Sequence, residues 1–282
     1  MFALVFRILM IRQFGVPNPN ADPLYYHAQA NLIADGSGFA EPFTWLRNGT
    51  IIPSALHPPG FSLWLSIASV MGFRTVFSHQ VMSAVAGTVL VLVVALVAGR
   101  LAGARAAVVA ALLAALHPNL WVIDGTLMPE SLYAMTIGFV LLAAYLYLAR
   151  PSVWSAAAFG AVLAASALVR GEGLLLLPLL AVPLVLVHQR GWRVRLSHLA
   201  FIGAAAVLVV APWTVRNAVA FHKLVPVSFN SEEVIRNANC DVTYYGSEVG
   251  FWSYACYQPA APPGYDEAQR AAFWRRNGVA YI

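Results

Sequence analysis

The side chains best suited to chemistry fall in five short segments spread along the chain. They are Ala21-Asp22-Pro23-Leu24-Tyr25-Tyr26-His27, His57-Pro58-Pro59-Gly60, Met128-Pro129-Glu130-Ser131, Arg170-Gly171-Glu172 and Pro212-Trp213-Thr214-Val215-Arg216-Asn217. A carboxylate can take a proton from a hydroxyl or amine as general base. Arginine can hold a phosphate through paired hydrogen bonds and stabilise it as a leaving group. The mixture suits group transfer from a lipid-phosphate donor. Each segment also has a plainer reading. Asp22-Pro23 and Pro129-Glu130 make good helix starts. Arg170 and Arg216 can be interfacial anchors, and His57 before two prolines can be an ordinary loop residue.

The elements that carry these segments follow from composition. Of 282 residues, 60% are hydrophobic and only 10% charged; soluble domains average about 25% charged. Mean hydropathy is +0.70. A soluble globule, a disordered chain and a cysteine framework are all excluded. The formal charge of +5 comes from arginine with the single lysine Lys223. In a membrane protein such an excess marks loops on the cytoplasmic side, so no nucleic-acid partner is inferred. The chain reads as an all-α integral membrane protein.

A crossing helix needs about 20 apolar residues. Met1–Ile11, Val76–Gly99, Ala104–Leu116 with Asn119–Ile123, Ser131–Ala149, Val153–Val169, Leu174–Val187 and His198–Trp213 are the expected spans. Phe61–Phe73 is apolar but short. If it lies on the surface, Arg100, Arg105, Arg150, Arg190, Arg193 and Arg195 all fall inside, as the distribution of basic residues requires. The acids then lie outside or at that boundary. The expectation is about seven transmembrane helices, an inside amino terminus, and surface helices in a large first outer loop, about 13–75. Residues 1–217 form the membrane module and 218–282 an outer polar segment. Its end at Ala280-Tyr281-Ile282 reads as the start of a longer region. All five chemical segments then share the outer level of the membrane, where ionisable residues are kept only if paired or used.

Their order resembles the polytopic GT-C glycosyltransferases, nearest to bacterial protein mannosyltransferase-like and aminoarabinose-transferase-like enzymes. The residues that carry it are Asp22, Tyr26, Gly36-x-Gly38-Phe39, His57-Pro58-Pro59-Gly60, Pro118, Pro129-Glu130-Ser131-Leu132, Leu168-Val169-Arg170-Gly171-Glu172-Gly173 and Pro212 through Asn217. It extends over about residues 1–239. The tail around Asn239-Cys240-Asp241, Tyr244-Tyr245-Gly246 and Cys256-Tyr257 is similar to that of a group of actinobacterial members. The resemblance implies inverting transfer of a sugar from a polyprenyl-phosphate donor at the outer face of the plasma membrane. The acceptor, whether protein, lipid or glycan, is left open. Asp22 matches the base and Glu130 the acid near the site. Arg170 and Arg216 match donor-phosphate ligands, with Tyr26, His57, Glu172 and Asn217 as further binding residues. Many relatives carry two adjacent acids where this chain has Asp22-Pro23.

No cofactor is expected. Asp22, His27 and Glu130 have no metal-ligand spacing, and the resemblance is mainly to metal-independent enzymes, so a divalent metal is the less favoured alternative. Cys240 and Cys256 both fall in the outer segment, an oxidising setting in which a disulfide is expected, with two free thiols as the alternative. A transporter or lipid-carrier flippase is the rival from another class. Repeated halves and spans broken near the midplane would mark it, and neither is evident.

Overall fold

The computed structural model describes residues 1–282. It is helical, its one extended pairing being an isolated antiparallel bridge between Ala40 and Pro53. The chain divides into two compact units: residues 1–53 with 59–210, and residues 54–58 with 211–282. The two units part at 210/211 in the last long helix, near the residue 217 at which the membrane module is expected to end. The second unit also takes in the short segment that bears His57.

In the first unit, α1 (Phe2–Phe14) is apolar apart from Arg7, Arg12 and Gln13. It leads to α2 (Ala21–Ala34), which has Asp22 in its first turn, where a carboxylate complements the helix dipole. The short α3 (Pro42–Asn48) is capped by Glu41, whose carboxylate accepts from the amides of Phe43 and Thr44 at 3.0 and 2.6 Å. Helix α4 (Pro59–Val70) covers the stretch expected at the surface and has only 12 residues. A polar hub fixes α2 on α4. Gln29 donates to the Tyr25 hydroxyl at 2.8 Å and to Ala40 O at 3.2 Å, while its carbonyl accepts from the Ser62 hydroxyl at 2.6 Å.

Helix α5 (Val76–Leu116) is two legs joined at Gly103, whose φ of +84° a side chain would strain. Val91, Ala114 and Ala115 share one buried cluster. A straight helix would hold Val91 and Ala114 about 35 Å apart, so the chain reverses at Gly103. The stretches expected as separate spans, Val76–Gly99 and Ala104–Leu116, are the two legs of this helix. Next come α6 (Pro118–Trp121), a 3-10 turn (Val122–Thr126), α7 (Glu130–Ala149) and α8 (Val153–Ala167). A run over 171–188 then passes through a 3-10 turn and a π-turn into α9 (Val182–His188). Pro178 and Pro183 withhold two amides from its ladder. Helix α10 (Trp192–Phe221) contains Pro212. Four of these runs are long and apolar enough to cross a membrane: α5, α7, residues 171–188 and α10. Helices α1 and α8, with 13 and 15 residues, fall short of that length.

The main core joins α7 to α10. Tyr147, Phe159, Leu163, Val185 and Ile202 are buried together, and the Tyr147 hydroxyl lies 2.8 Å from His198 Nδ1. A side chain at Gly160 would overlap the backbone of Ile202, so glycine permits this close crossing.

In the second unit, α11 (Asn230–Asn237), α12 (Asp241–Tyr244) and α13 (Glu267–Tyr281) follow the end of α10. Asp266 and Gln269 cap α13 reciprocally, at 2.7 and 2.9 Å. Cys240 and Cys256 are disulfide-bonded, with Cα atoms 5.4 Å apart.

Candidate active site

In the first unit the site grows from three local starts. Pro129 precedes the first residue of α7, Glu130, and so places a carboxylate at the positive end of that helix. Asp22 opens α2, and Tyr26 lies one turn later on the same face. Arg170 ends the connection from α8, its amide donating to Ser166 O at 3.0 Å. The turn is tight because Gly60 lies against it: the Gly60 amide donates to Leu168 O at 2.7 Å, and a Cβ there would collide with that carbonyl.

Arg170 draws these starts together. Its Nη1 donates to Glu130 Oε1, and its Nη2 donates to Glu172 Oε1 at 3.3 Å. Its guanidinium carbon lies 5.9 Å from the centre of the Tyr133 ring. The arginine and Glu130 are each about one-third exposed, and Glu172 is 58% exposed. Burial opposes the charge on Arg170, but Glu172 and Glu130 outweigh it and raise its pKa. Glu130 Oε2 is buried without a hydrogen-bond partner.

Tyr26 feels the charges of Asp22 and Glu130. It is 3% exposed, with its ring 5.0 Å from that of Phe61, edge to face. Burial first, and then the charges of Asp22, Tyr25 and Glu130, push its phenol well above the usual value, while Arg170 pulls the other way. Asp22, Glu130 and Arg170 therefore all act on one phenol. The structure joins Glu130, Arg170 and Glu172 by contact, and Asp22 and Tyr26 are linked to them through charge alone.

His57, Arg216 and Asn217 belong to the second unit. His57 is buried in the segment 54–58. Arg216 Nη1 donates to Ser54 O at 2.8 Å and to Asn217 Oδ1 at 3.1 Å, and its guanidinium lies 5.1 Å from the Trp213 ring centre. Asn217 is fully buried and gives its amide to Val225 O at 3.2 Å. Glu267, which the sequence did not single out, holds the same segment. Its carboxylate accepts from the Ser54 hydroxyl at 2.9 Å and the Ala55 amide at 2.7 Å.

A second missed group is the fully buried ion pair of Arg7 with Asp124, at 2.5 Å. Its signal was a lone arginine inside an apolar helix, which in a membrane protein demands a partner. No cluster of three or more His, Cys, Asp or Glu side chains is placed to hold a metal ion. His27 and His79 form a pair, with Nδ1 atoms 3.0 Å apart.

No curated protein and no solved structure matches the chain. A family model matches residues 56–215. That range takes in His57, Glu130, Arg170 and Glu172, begins after Asp22 and Tyr26, and ends one residue before Arg216. The match covers more than half of the 282 residues, and the chain belongs to the dolichyl-phosphate-mannose-protein mannosyltransferase family.

Proposed function

We propose that this protein transfers a sugar, with inversion, from a polyprenyl-phosphate-linked donor to an acceptor at the outer face of the cytoplasmic membrane, with Asp22 as general base. The observation that carries the reading is the pairing of Arg170 with both Glu130 and Glu172, an arginine and two carboxylates held together within the residues that the family model matches. The acceptor oxygen attacks the anomeric carbon, the bond to the phosphate oxygen breaks on the opposite face, and Asp22 receives the acceptor proton. Glu130 Oε2, buried and unpartnered, is the acceptor for a sugar hydroxyl. At rest Arg170 is neutralised by two carboxylates. Glu172, the longer of its contacts and on the more exposed side chain, is the partner that a donor phosphate displaces from Nη2. Arg216, as a second phosphate ligand, and His57 and Asn217, as binding residues, are proposed on the family likeness. No cofactor enters these steps.

The topology proposed has seven crossings: α1, both legs of α5, α7, α8, residues 171–188 and α10. The amino terminus and Arg100, Arg105, Arg150, Arg190, Arg193 and Arg195 lie on the cytoplasmic side. The test is transfer by the full chain in vesicles containing a polyprenyl-phosphate sugar. Asp22→Asn abolishes transfer and leaves insertion intact; a variant that still transfers overturns the assignment. A protein that only moves the donor across the bilayer would release no free polyprenyl phosphate in the same assay.

A further inference from the structure

Arg7 and Asp124 lie 117 residues apart, and both are fully buried. Arg7 Nη1 donates to Asp124 Oδ2 at 2.5 Å and to Leu120 O at 2.5 Å. The other carboxylate oxygen, Oδ1, accepts from the Ser131 hydroxyl at 2.6 Å. Ser131 is the second residue of α7, next to Glu130. The chain of contacts therefore runs from the middle of α1, through the 3-10 turn, into the first turn of the helix that carries Glu130.

The same turn is also fastened to the chain that leads to Asp22. The Val16 amide donates to Gly125 O at 3.1 Å, and Gln80 Nε2 reaches both Val16 O and Gly125 O, at 2.9 and 2.8 Å. Two glycines allow the closeness. A Cβ at Gly125 would come within 2.9 Å of Gly15 Cα, and one at Gly87 would overlap the Arg7 guanidinium.

As a means of holding helices together the pair is a poor choice. Apolar side chains of similar size usually serve stability as well or better. Arg7 also leaves Nε and Nη2 buried without partners, a cost that calls for an explanation. What the pair does supply is directional. It fixes where Ser131 sits, and so the register of Glu130 against Arg170.

We propose that Arg7 and Asp124 are positioning residues of the transfer site, a pin that sets Glu130 and the Asp22-bearing segment in working register. This rests on the function proposed above. The test is Arg7→Met with Asp124→Val, which removes both charges with little net change in volume, read in two independent ways. In steady-state transfer kcat falls about 10²-fold, the cost of a misplacement near 1 Å, while the donor KM stays within about threefold. In amide hydrogen exchange, protection is lost at Val16 and in the first two turns of α7, and is kept in α8 and in the rest of α7. Arg7→Lys, which keeps a donor to Asp124, restores most of both. If the double variant does not insert, Ser131→Ala carries the test, with kcat lowered about fivefold for one lost hydrogen bond and KM unchanged. Wild-type kcat and protection in an inserted variant overturn the pin. Absence of transfer by the wild type overturns the proposed function instead, and the exchange arm still reads the pin.

Discussion

Glu130 and Arg170, 40 residues apart in sequence, are ion-paired so that one carboxylate oxygen of Glu130 is committed and the other is buried without a partner. On the function proposed above, that oxygen accepts from a substrate hydroxyl without first breaking a bond to protein. Glu130→Gln keeps the shape and removes the charge. The expected loss is about 10- to 100-fold in kcat/KM, the range for a hydrogen bond to a charged group. Stability changes by less than about 1 kcal/mol because the pair is partly solvated. Arg170→Lys is expected to fare little better than removal of the arginine, since one ammonium cannot reproduce the planar fork that serves Glu130 and Glu172 together. Transfer kinetics with a thermal melt of each variant check this.

Tyr26 separates packing from chemistry. Its ring is buried against Phe61, and its phenol is held neutral by burial and by the surrounding carboxylates. Tyr26→Phe keeps the ring and is expected to insert normally, lose less than tenfold in kcat and leave the pH profile of transfer unmoved. Tyr26→Ala leaves a void, at a cost of about 3–5 kcal/mol, and lowers the melting temperature sharply. A pH profile that moves in the phenylalanine variant would instead give the phenol a proton-transfer role.

How much of this was legible beforehand depends on sequence distance. The reversal inside α5 was readable because Arg100 and Arg105 interrupt an apolar run too long for one crossing, although Gly103 as its pivot was not. Pro129-Glu130 was readable as a helix start because the proline and the acid are neighbours. Asp22 and Tyr26 share a face by helical spacing alone. Arg7 and Asp124 were not readable as a pair, because each satisfies a plausible local role and only the packing of α1 against the 3-10 turn joins them. Glu267 lies 213 residues from Ser54 and looked like an ordinary first-turn acid of α13. Residues 54–58 were not readable as part of the second unit for the same reason: contacts with distant sequence place them there.

Gly160 offers a test of the helix packing that is independent of the site. A Cβ there meets the Ile202 backbone, which cannot rotate away as a side chain could. Gly160→Ala therefore forces α8 and α10 apart and is expected to destabilise by about 1–3 kcal/mol, as overpacking does. Gly203→Ala is the control, since a Cβ at that position meets nothing within 4 Å; the gain in helix propensity there makes it neutral or slightly stabilising. Thermal melts of the two variants, side by side, decide it. Equal melting temperatures would mean that the α8–α10 crossing is looser than the structure has it.

Glu267 gives the second unit a dependence on pH. Burial pushes its carboxyl up to about 7, against the opposing hydrogen bonds from the Ala55 amide and the Ser54 hydroxyl and the charge of Arg270, while Glu233 adds to the rise. In the unfolded chain the same group titrates near 4.3. Between those values the folded state holds a proton that the unfolded state has released, so stability falls as pH rises. The contribution is whole below about 4.3, declines up to about 7, and stays lost above it, a span of about 4 kcal/mol. Burial likewise raises Asp124, to about 6, Arg7 and Ser131 opposing, which adds a slope of the same sign. The informative quantity is therefore the difference between wild type and Glu267→Gln, in which the Asp124 contribution cancels. The substituted amide stays neutral at every pH and can still accept from the Ala55 amide through its one carbonyl oxygen. The expected result is that wild type loses more melting temperature than Glu267→Gln between pH 4.5 and pH 7.5. Parallel curves would show that water reaches the carboxylate and that burial does not control its titration.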